Sequence, residues 1–316
     1  MDNIYLYMII ALAILAIADL VVGVSNDAVN FLNSGIGSKA VSFRTLMIVA
    51  SLGIGLGALF SGGMMEIARS GIFNPEQFMF NEIMIIFLAV MITDILLLDF
   101  FNSIGLPTST TVSIVFELLG ASVAMTLIKI SHEAGDYTTV MNYINTSKVS
   151  EIIFGILLSV AIAFTVGAFV QWVARLLLSY DFERKAKWVG ALFGGFALTS
   201  ITYFIFIKGI GGTGFANQTY DILNGETLKA FLDREVALIV AISFVFWIIL
   251  SYVFVALLKT NIYKVVILVG TFALALAFAG NDLVNFIGPS MAAFQAYVIL
   301  WIRILMCLDC RRQSFQ

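Results

Sequence analysis

Apolar residues run along this chain in long blocks, separated by polar stretches too short to fold as domains of their own. The blocks cover approximately 4–24, 41–60, 83–101, 104–127, 152–178, 188–207, 236–258 and 263–279, and apolar sequence resumes after the last. At 1.5 Å of rise per residue, about 20 residues cross a hydrocarbon layer of roughly 30 Å, so each block approaches or exceeds the length of a membrane span. Backbone groups inside lipid must be satisfied within the segment, and the short alternating segments of a spanning barrel are absent from the pattern. The expected fold is therefore an all-α integral membrane protein with polytopic transmembrane helices.

Polar positions set the expected orientation. Arg175, Arg184, Lys185 and Lys187 cluster around the connection at 181–187, and Lys259 and Lys264 mark another short basic connection. Both read as cytoplasmic by the excess of Lys and Arg found there. Lys39 and Arg44 follow the first block and place the N-terminus outside, while the longer stretch from Lys208 to Glu235 lies on the outer side. His132 falls in a polar connection and reads as a loop residue. The first ten residues have no positive leader region, so the first block reads as a retained span rather than a signal peptide.

Composition narrows the classes further. Hydrophobic residues make up 61 % of the chain and charged residues 12 %, with a net charge of −3. The 17 basic residues form no stripe along which a phosphate backbone could lie, which argues against a nucleic-acid partner and leaves the lipid bilayer as the surroundings. Cys307 and Cys310 form CLDC near the C-terminal end without the strand and helix pattern of a redox site, and they read as incidental.

Against this background two polar strings stand out. NDAVNF at 26–31 and NDLVNF at 281–286 agree in five of six positions. On the orientation above, the helices that carry them run in opposite directions, which is the mark of an inverted-repeat transporter. The expected organisation is a first inverted repeat over 1–130, connecting transmembrane helices over 131–260, and the start of a second, incomplete repeat over 261–316. An aspartate at the centre of a span costs about 2.5 to 3.5 kcal/mol on insertion scales, so Asp27 and Asp282 need compensation. Carboxylate and amide oxygens from Asn26, Asp27, Asn281 and Asp282, with carbonyls freed by a helix broken near Gly23 or Gly280, suit a sodium ion. Solvation at a helix end or capping of the next helix is the plainer reading of either string alone.

A second constellation, GLPTSTTVS at 105–113, sets Gly105 and Pro107 before a run of hydroxyls. Proline suits the first turn of a helix and Ser or Thr its cap, so a helix begins here, after a broken or re-entrant hairpin. Free N–H groups at a helix start bind anions, and Ser109, Thr110 and Thr111 can donate to tetrahedral oxygens. Alternatively these hydroxyls bond only to the preceding turn or pack between helices. Glu117 is an isolated acid in an apolar run and must face protein or water. Asp19 has Leu274 as its counterpart in the second copy, and faces a cavity or pairs locally. Asp94 and Asp99, near the end of a block, read as solvated at the interface. Gly53, Gly55, Gly57, Gly62 and Gly63 allow close helix contact.

These residues resemble the PiT inorganic phosphate transporters, which carry a GANDxAN-like string in each inverted half and a PxSTTH-like hairpin. The matching positions are Asn26, Asp27 and Asn30, then Pro107, Ser109, Thr110 and Thr111, then Asn281, Asp282 and Asn285. Val112 stands where the family has histidine, the first copy reads GVSND with one residue more than GAND, and the second reads AGND. The resemblance implies symport of inorganic phosphate with a cation, sodium or proton, by alternating access in a homodimer. It implies that Asp27 and Asp282 hold sodium together with Asn26 and Asn281. It further implies that Ser109, Thr110, Thr111, Asn30 and Asn285 hold phosphate. No cofactor beyond the coupling ion is expected, and the expected place is the plasma (cytoplasmic) membrane, as a multi-pass protein. A counterpart of the STT run at the same spacing after Asp282 would fall beyond Gln316, which leaves a transport-inactive or structural subunit as an alternative. A sulfate permease is the other close alternative, and an intramembrane aspartyl protease a remote one.

Overall fold

The computed structural model describes residues 4–60, 71–133, 137–177, 186–210, 214–223, 225–257 and 261–313. These residues are helical almost throughout, and the only extended pairings among them are two isolated bridges, Phe73 with Ile144 and Thr219 with Thr227. The long helices are α1 (Ile4–Ser38), α2 (Phe43–Phe60), α3 (Phe80–Ile104), α4 (Thr110–Glu133), α5 (Thr146–Leu177), α6 (Ala191–Tyr203), α7 (Val236–Ala256), α8 (Ile262–Asn281) and α9 (Leu283–Gln313). Wider π-type turns at Ala186–Gly190 and Phe204–Ile210 flank α6. Among the described residues, seven helical stretches are long and apolar enough to cross a membrane, with α2 a shorter one of the same character. The chain is a multi-pass, all-helical membrane protein.

Proline placement explains much of this regularity. Pro75 opens a short 3₁₀ turn and Pro107 lies in the link between α3 and α4, so only Pro289 falls within a helix. The link forms because α3 ends at Gly105, whose φ of 69° belongs to the left-handed region glycine enters without penalty. The N–H groups of Gly105 and Leu106 bond back to Asn102 O and Phe101 O, each at 3.0 Å, and close the last turn. Ser109 then accepts a bond from Val112 N at 3.4 Å and caps α4.

Two compact units emerge. The first comprises Met1–Asp27, Met64–Phe154 and Asp282–Gln316. Its core joins Leu12 and Ala16 of α1, Met84, Phe87 and Met91 of α3, Ile114 and Leu118 of α4, and Ala292 and Ala293 of α9. Ser290 donates to Leu12 O at 2.9 Å, so α9 is tied to α1 by a buried polar bond as well as by packing. The second unit comprises Ala28–Gly63 and Gly155–Asn281. There α2 meets α8 through small residues: a Cβ on Gly53 or Gly57 would run into the α8 backbone at Phe272 and Leu276. Gly194 and Gly195 bring α6 against Ser251, Ile262 and Ile248 in the same way, and Trp247 Nε1 donates to Thr202 Oγ1 at 2.8 Å.

Several sequence expectations change. The break near Gly23 does not occur, since α1 continues through Asn26 and Asp27 to Ser38. Gly23 is there for contact rather than flexibility, because a Cβ at this position would strike the Phe286 ring. The second copy does carry an interruption: α8 ends at Asn281, Asp282 forms a turn, and α9 begins at Leu283. His132 lies in the last turn of α4, not in a loop. Gly62, Gly63, Arg184 and Lys185 fall outside the described residues, as do the side chains of Lys187, Cys307 and Cys310.

Candidate functional site

The polar residues of the first unit gather in two linked sets. In the first set, Asn26 is almost fully buried on α1 and faces the hairpin link. Its Nδ2 donates to Asn102 Oδ1 at 2.8 Å and to Leu106 O at 3.3 Å, and its Oδ1 accepts from Thr108 N at 2.8 Å. Asn102 Nδ2 in turn donates to Val22 O at 3.1 Å. An amide carries donors and an acceptor at once, so a single Asn side chain can satisfy both kinds of backbone group in an irregular link. Asn26 thereby fastens the start of the hydroxyl run to α1.

The second set joins the hydroxyl run to the second ND string. Thr111 Oγ1 donates to Asp282 Oδ1 at 3.2 Å and accepts from Asn285 Nδ2 at 3.0 Å. Asn285 N also bonds to Asp282 O at 3.0 Å, which closes the turn at the head of α9. The neighbouring Thr110 is buried close to Asp27, and Asp27 and Asp282 lie within electrostatic reach of one another. Consecutive threonines thus reach one aspartate each, from the two copies of the motif. Further along α9, Pro289 has no N–H and leaves the Asn285 carbonyl without its intrahelical donor.

The structure therefore brings together Asn26, Asp27, Thr110, Thr111, Asp282 and Asn285. Ser109 caps α4 and is exposed. Asn30 lies exposed one turn beyond Asn26 on α1 and belongs to the second unit. Asn281 ends α8, and its side chain lies outside the described residues. Asn102 is a site residue that sequence reading missed; the available signal was an amide in the last turn of a span, just before GLPT. Asp94, read as solvated, is in fact fully buried, and Ser113 Oγ lies 2.7 Å from its Oδ1. Ser113 is four residues from Glu117 on the same face of α4, and this spacing was the signal for a buried acid partner.

Chemically, the set offers carboxylate, amide, hydroxyl and carbonyl oxygens, the donors preferred by a hard monovalent cation. Among the described residues no three of His, Cys, Asp and Glu converge to hold a metal ion, so a cation at Asp27 and Asp282 would draw on the neutral oxygens as well. The hydroxyls and the N–H groups at the head of α4 are the donors available to an anion.

Such a polar cluster lies inside a bundle of apolar helices long enough to span a membrane. The chain belongs to the phosphate transporter family, whose model matches residues 23–308. It is 26 % identical over 279 residues to a protein named as a phosphate permease from Pyrococcus furiosus, an alignment covering 85 % of this chain and 61 % of that one. It is 30 % identical over 172 residues to a sodium-dependent phosphate transporter from Plasmodium falciparum, covering 52 % of this chain and 24 % of that one. In fold it is similar to a solved sodium-dependent phosphate transporter, with a TM-score of 0.61 at 18 % identity over 91 % of this chain and 68 % of that one. The chain thus spans about three-fifths of the length of the Pyrococcus relative.

Proposed function

We propose that the chain carries an ion and substrate site for cation-coupled symport of inorganic phosphate by alternating access, with sodium as the coupling ion. The observation that supports this most directly is the Thr111 hydroxyl, which donates to Asp282 and accepts from Asn285. A hydroxyl has one proton to give. While Asp282 holds that proton, Thr111 cannot offer it to an oxyanion. A sodium ion on Asp282 would satisfy the carboxylate and release the hydroxyl toward phosphate. Cation and anion then bind together because each relieves the other's cost, and the positive charge also offsets the anion in a site of low dielectric. The names of the relatives favour phosphate as the anion and sodium as its companion. The plasma membrane and a homodimeric assembly belong to the same proposal.

The test is binding of radiolabelled phosphate by the purified 316-residue chain in lipid nanodiscs, with sodium or with choline, followed by uptake into proteoliposomes. Phosphate retained only in sodium, and lost in Asp282→Asn, is the expected result. Equal phosphate retention in choline overturns sodium coupling. Displacement by sulfate at equal concentration overturns phosphate as the substrate.

A further inference from the structure

A second buried acidic group lies in the first unit, and neither half of the motif uses it. Asp94 on α3 is fully buried, and Glu117 on α4 has its Oε2 shielded from solvent. Ser113 Oγ sits between them, 2.7 Å from Asp94 Oδ1 and 2.8 Å from Glu117 Oε1. A serine hydroxyl owns one hydrogen, whereas an ionised carboxylate only accepts. Both contacts are hydrogen bonds only if one of the two carboxyl groups keeps a proton and donates it to Ser113 Oγ. With both ionised, one contact would set lone pair against lone pair in a medium that screens poorly.

An independent observation comes from α1. Asp19 is fully buried, and neither of its carboxyl oxygens receives a hydroxyl or N–H hydrogen bond among the described residues. It lies within electrostatic reach of both Asp94 and Glu117. Asp94 Oδ2 and Glu117 Oε2 are likewise buried with no hydroxyl or N–H donor. The charged groups on the packed helices do not neutralise these acids. Asp27 on α1 and Glu82 and Asp99 on α3 are themselves acidic, and α9 has no charged residue from Leu283 to Ile302. On α4, His132 and Lys129 lie at the far end; Lys129 is three turns and about 18 Å beyond Glu117. Its ammonium is occupied by Glu82 Oε2 at 3.3 Å and Gln77 O at 2.8 Å. Three carboxylates cannot all stay ionised here without a cation. Because Ser113 has one hydrogen to share between two carboxyl groups, its geometry itself calls for a second hydrogen, and the fitting cation is a proton.

We propose that Asp19, Asp94 and Glu117 form a proton-binding site centred on Ser113, distinct from the Asp27 and Asp282 set, that takes up and releases a proton during the transport cycle. Uptake forms one O–H bond on a carboxylate oxygen from a proton of bulk water. Release returns that proton to water, so the group's charge changes by one and no other reactant is involved. The existence of the site stands on the geometry alone, while its part in the cycle rests on the phosphate symport reading.

Infrared spectroscopy of the purified 316-residue chain in nanodiscs tests the first part. A carboxylic-acid carbonyl band present at neutral pH, displaced in D₂O, absent in Glu117→Gln or Asp94→Asn, and shifted in Ser113→Ala, is the expected result. Loss of the band at constant pH on adding sodium alone would identify a sodium site and overturn the proposal. So would a band unchanged in both acid variants, or no protonated carboxyl at neutral pH. Uptake driven by an inward acid gradient, at equal sodium on both sides, tests the second part. Glu117→Gln is expected to abolish the acid stimulation while sodium-driven uptake persists; equal stimulation in the variant refutes the role in the cycle. If no variant and no parent chain moves phosphate, the symport reading has failed, and the infrared band still decides the site.

Discussion

Replacing Asn26 by alanine isolates the function of the first motif copy as a fastener. The side chain makes three bonds, to Asn102 Oδ1, to Leu106 O and from Thr108 N, and is almost fully buried. Hydrogen bonds between membrane helices average about 0.6 kcal/mol, so losing three removes about 2 kcal/mol before any penalty for stranded partners. Leaving the N–H of half-buried Thr108 without its acceptor adds about 1 kcal/mol. The expected loss for Asn26→Ala is therefore about 3 kcal/mol, measured by reversible unfolding of the reconstituted chain in mixed micelles. Asn102→Ala shares only the 2.8 Å bond with it. The double variant should be more stable than the sum of the single losses implies, by about 0.6 to 1.7 kcal/mol. Strictly additive losses, or an Asn26→Ala chain as stable as its parent, would refute the view that Asn26 braces the hairpin link.

Three further outcomes are expected. Thr111→Val should weaken phosphate binding by about 10- to 100-fold, the worth of one charge-assisted bond, with Thr111→Ser close to the parent; radioligand saturation in sodium reads both. Gly57→Val should cost about 1 to 3 kcal/mol in thermal unfolding by forcing α2 off α8, whereas Gly55→Ala, with open space around it, should be near neutral. Pro289→Ala restores a donor for the Asn285 carbonyl, so the sodium concentration giving half-maximal phosphate binding should rise; an unchanged value would show that this oxygen has no part in cation binding.

The membrane spans were legible because each is a long apolar run whose backbone has nowhere to bond but within itself. Their ends were less so. Helix α1 was expected to stop at the motif, yet Ser25, Asn26 and Asp27 are only modest helix formers and no proline intervenes, so the winding continues. The meeting of the hydroxyl run with the second ND string was foreseeable from residue type, and Thr111 with Asp282 and Asn285 realises it. Asn102 and Asp94 were not foreseeable alone. Each is polar near a span end, where water is the natural partner, and only the folding back of α4 on α3 supplies Ser113 to Asp94. Burial of a polar side chain depends on what crosses over it, and a linear pattern does not record this.

The two near-identical hexapeptides differ in backbone. The first lies within an unbroken helix and offers side chains alone, whereas the second is interrupted by a turn at Asp282, where the helical hydrogen-bond ladder lapses. Equal letters thus do unequal mechanical duty: a continuous helical ladder resists a local change of torsion, and a turn with fewer ladder bonds yields to one more readily. Ligand-induced adjustment should therefore concentrate around Asp282, with the helix through Asp27 serving as the fixed reference against which it is made.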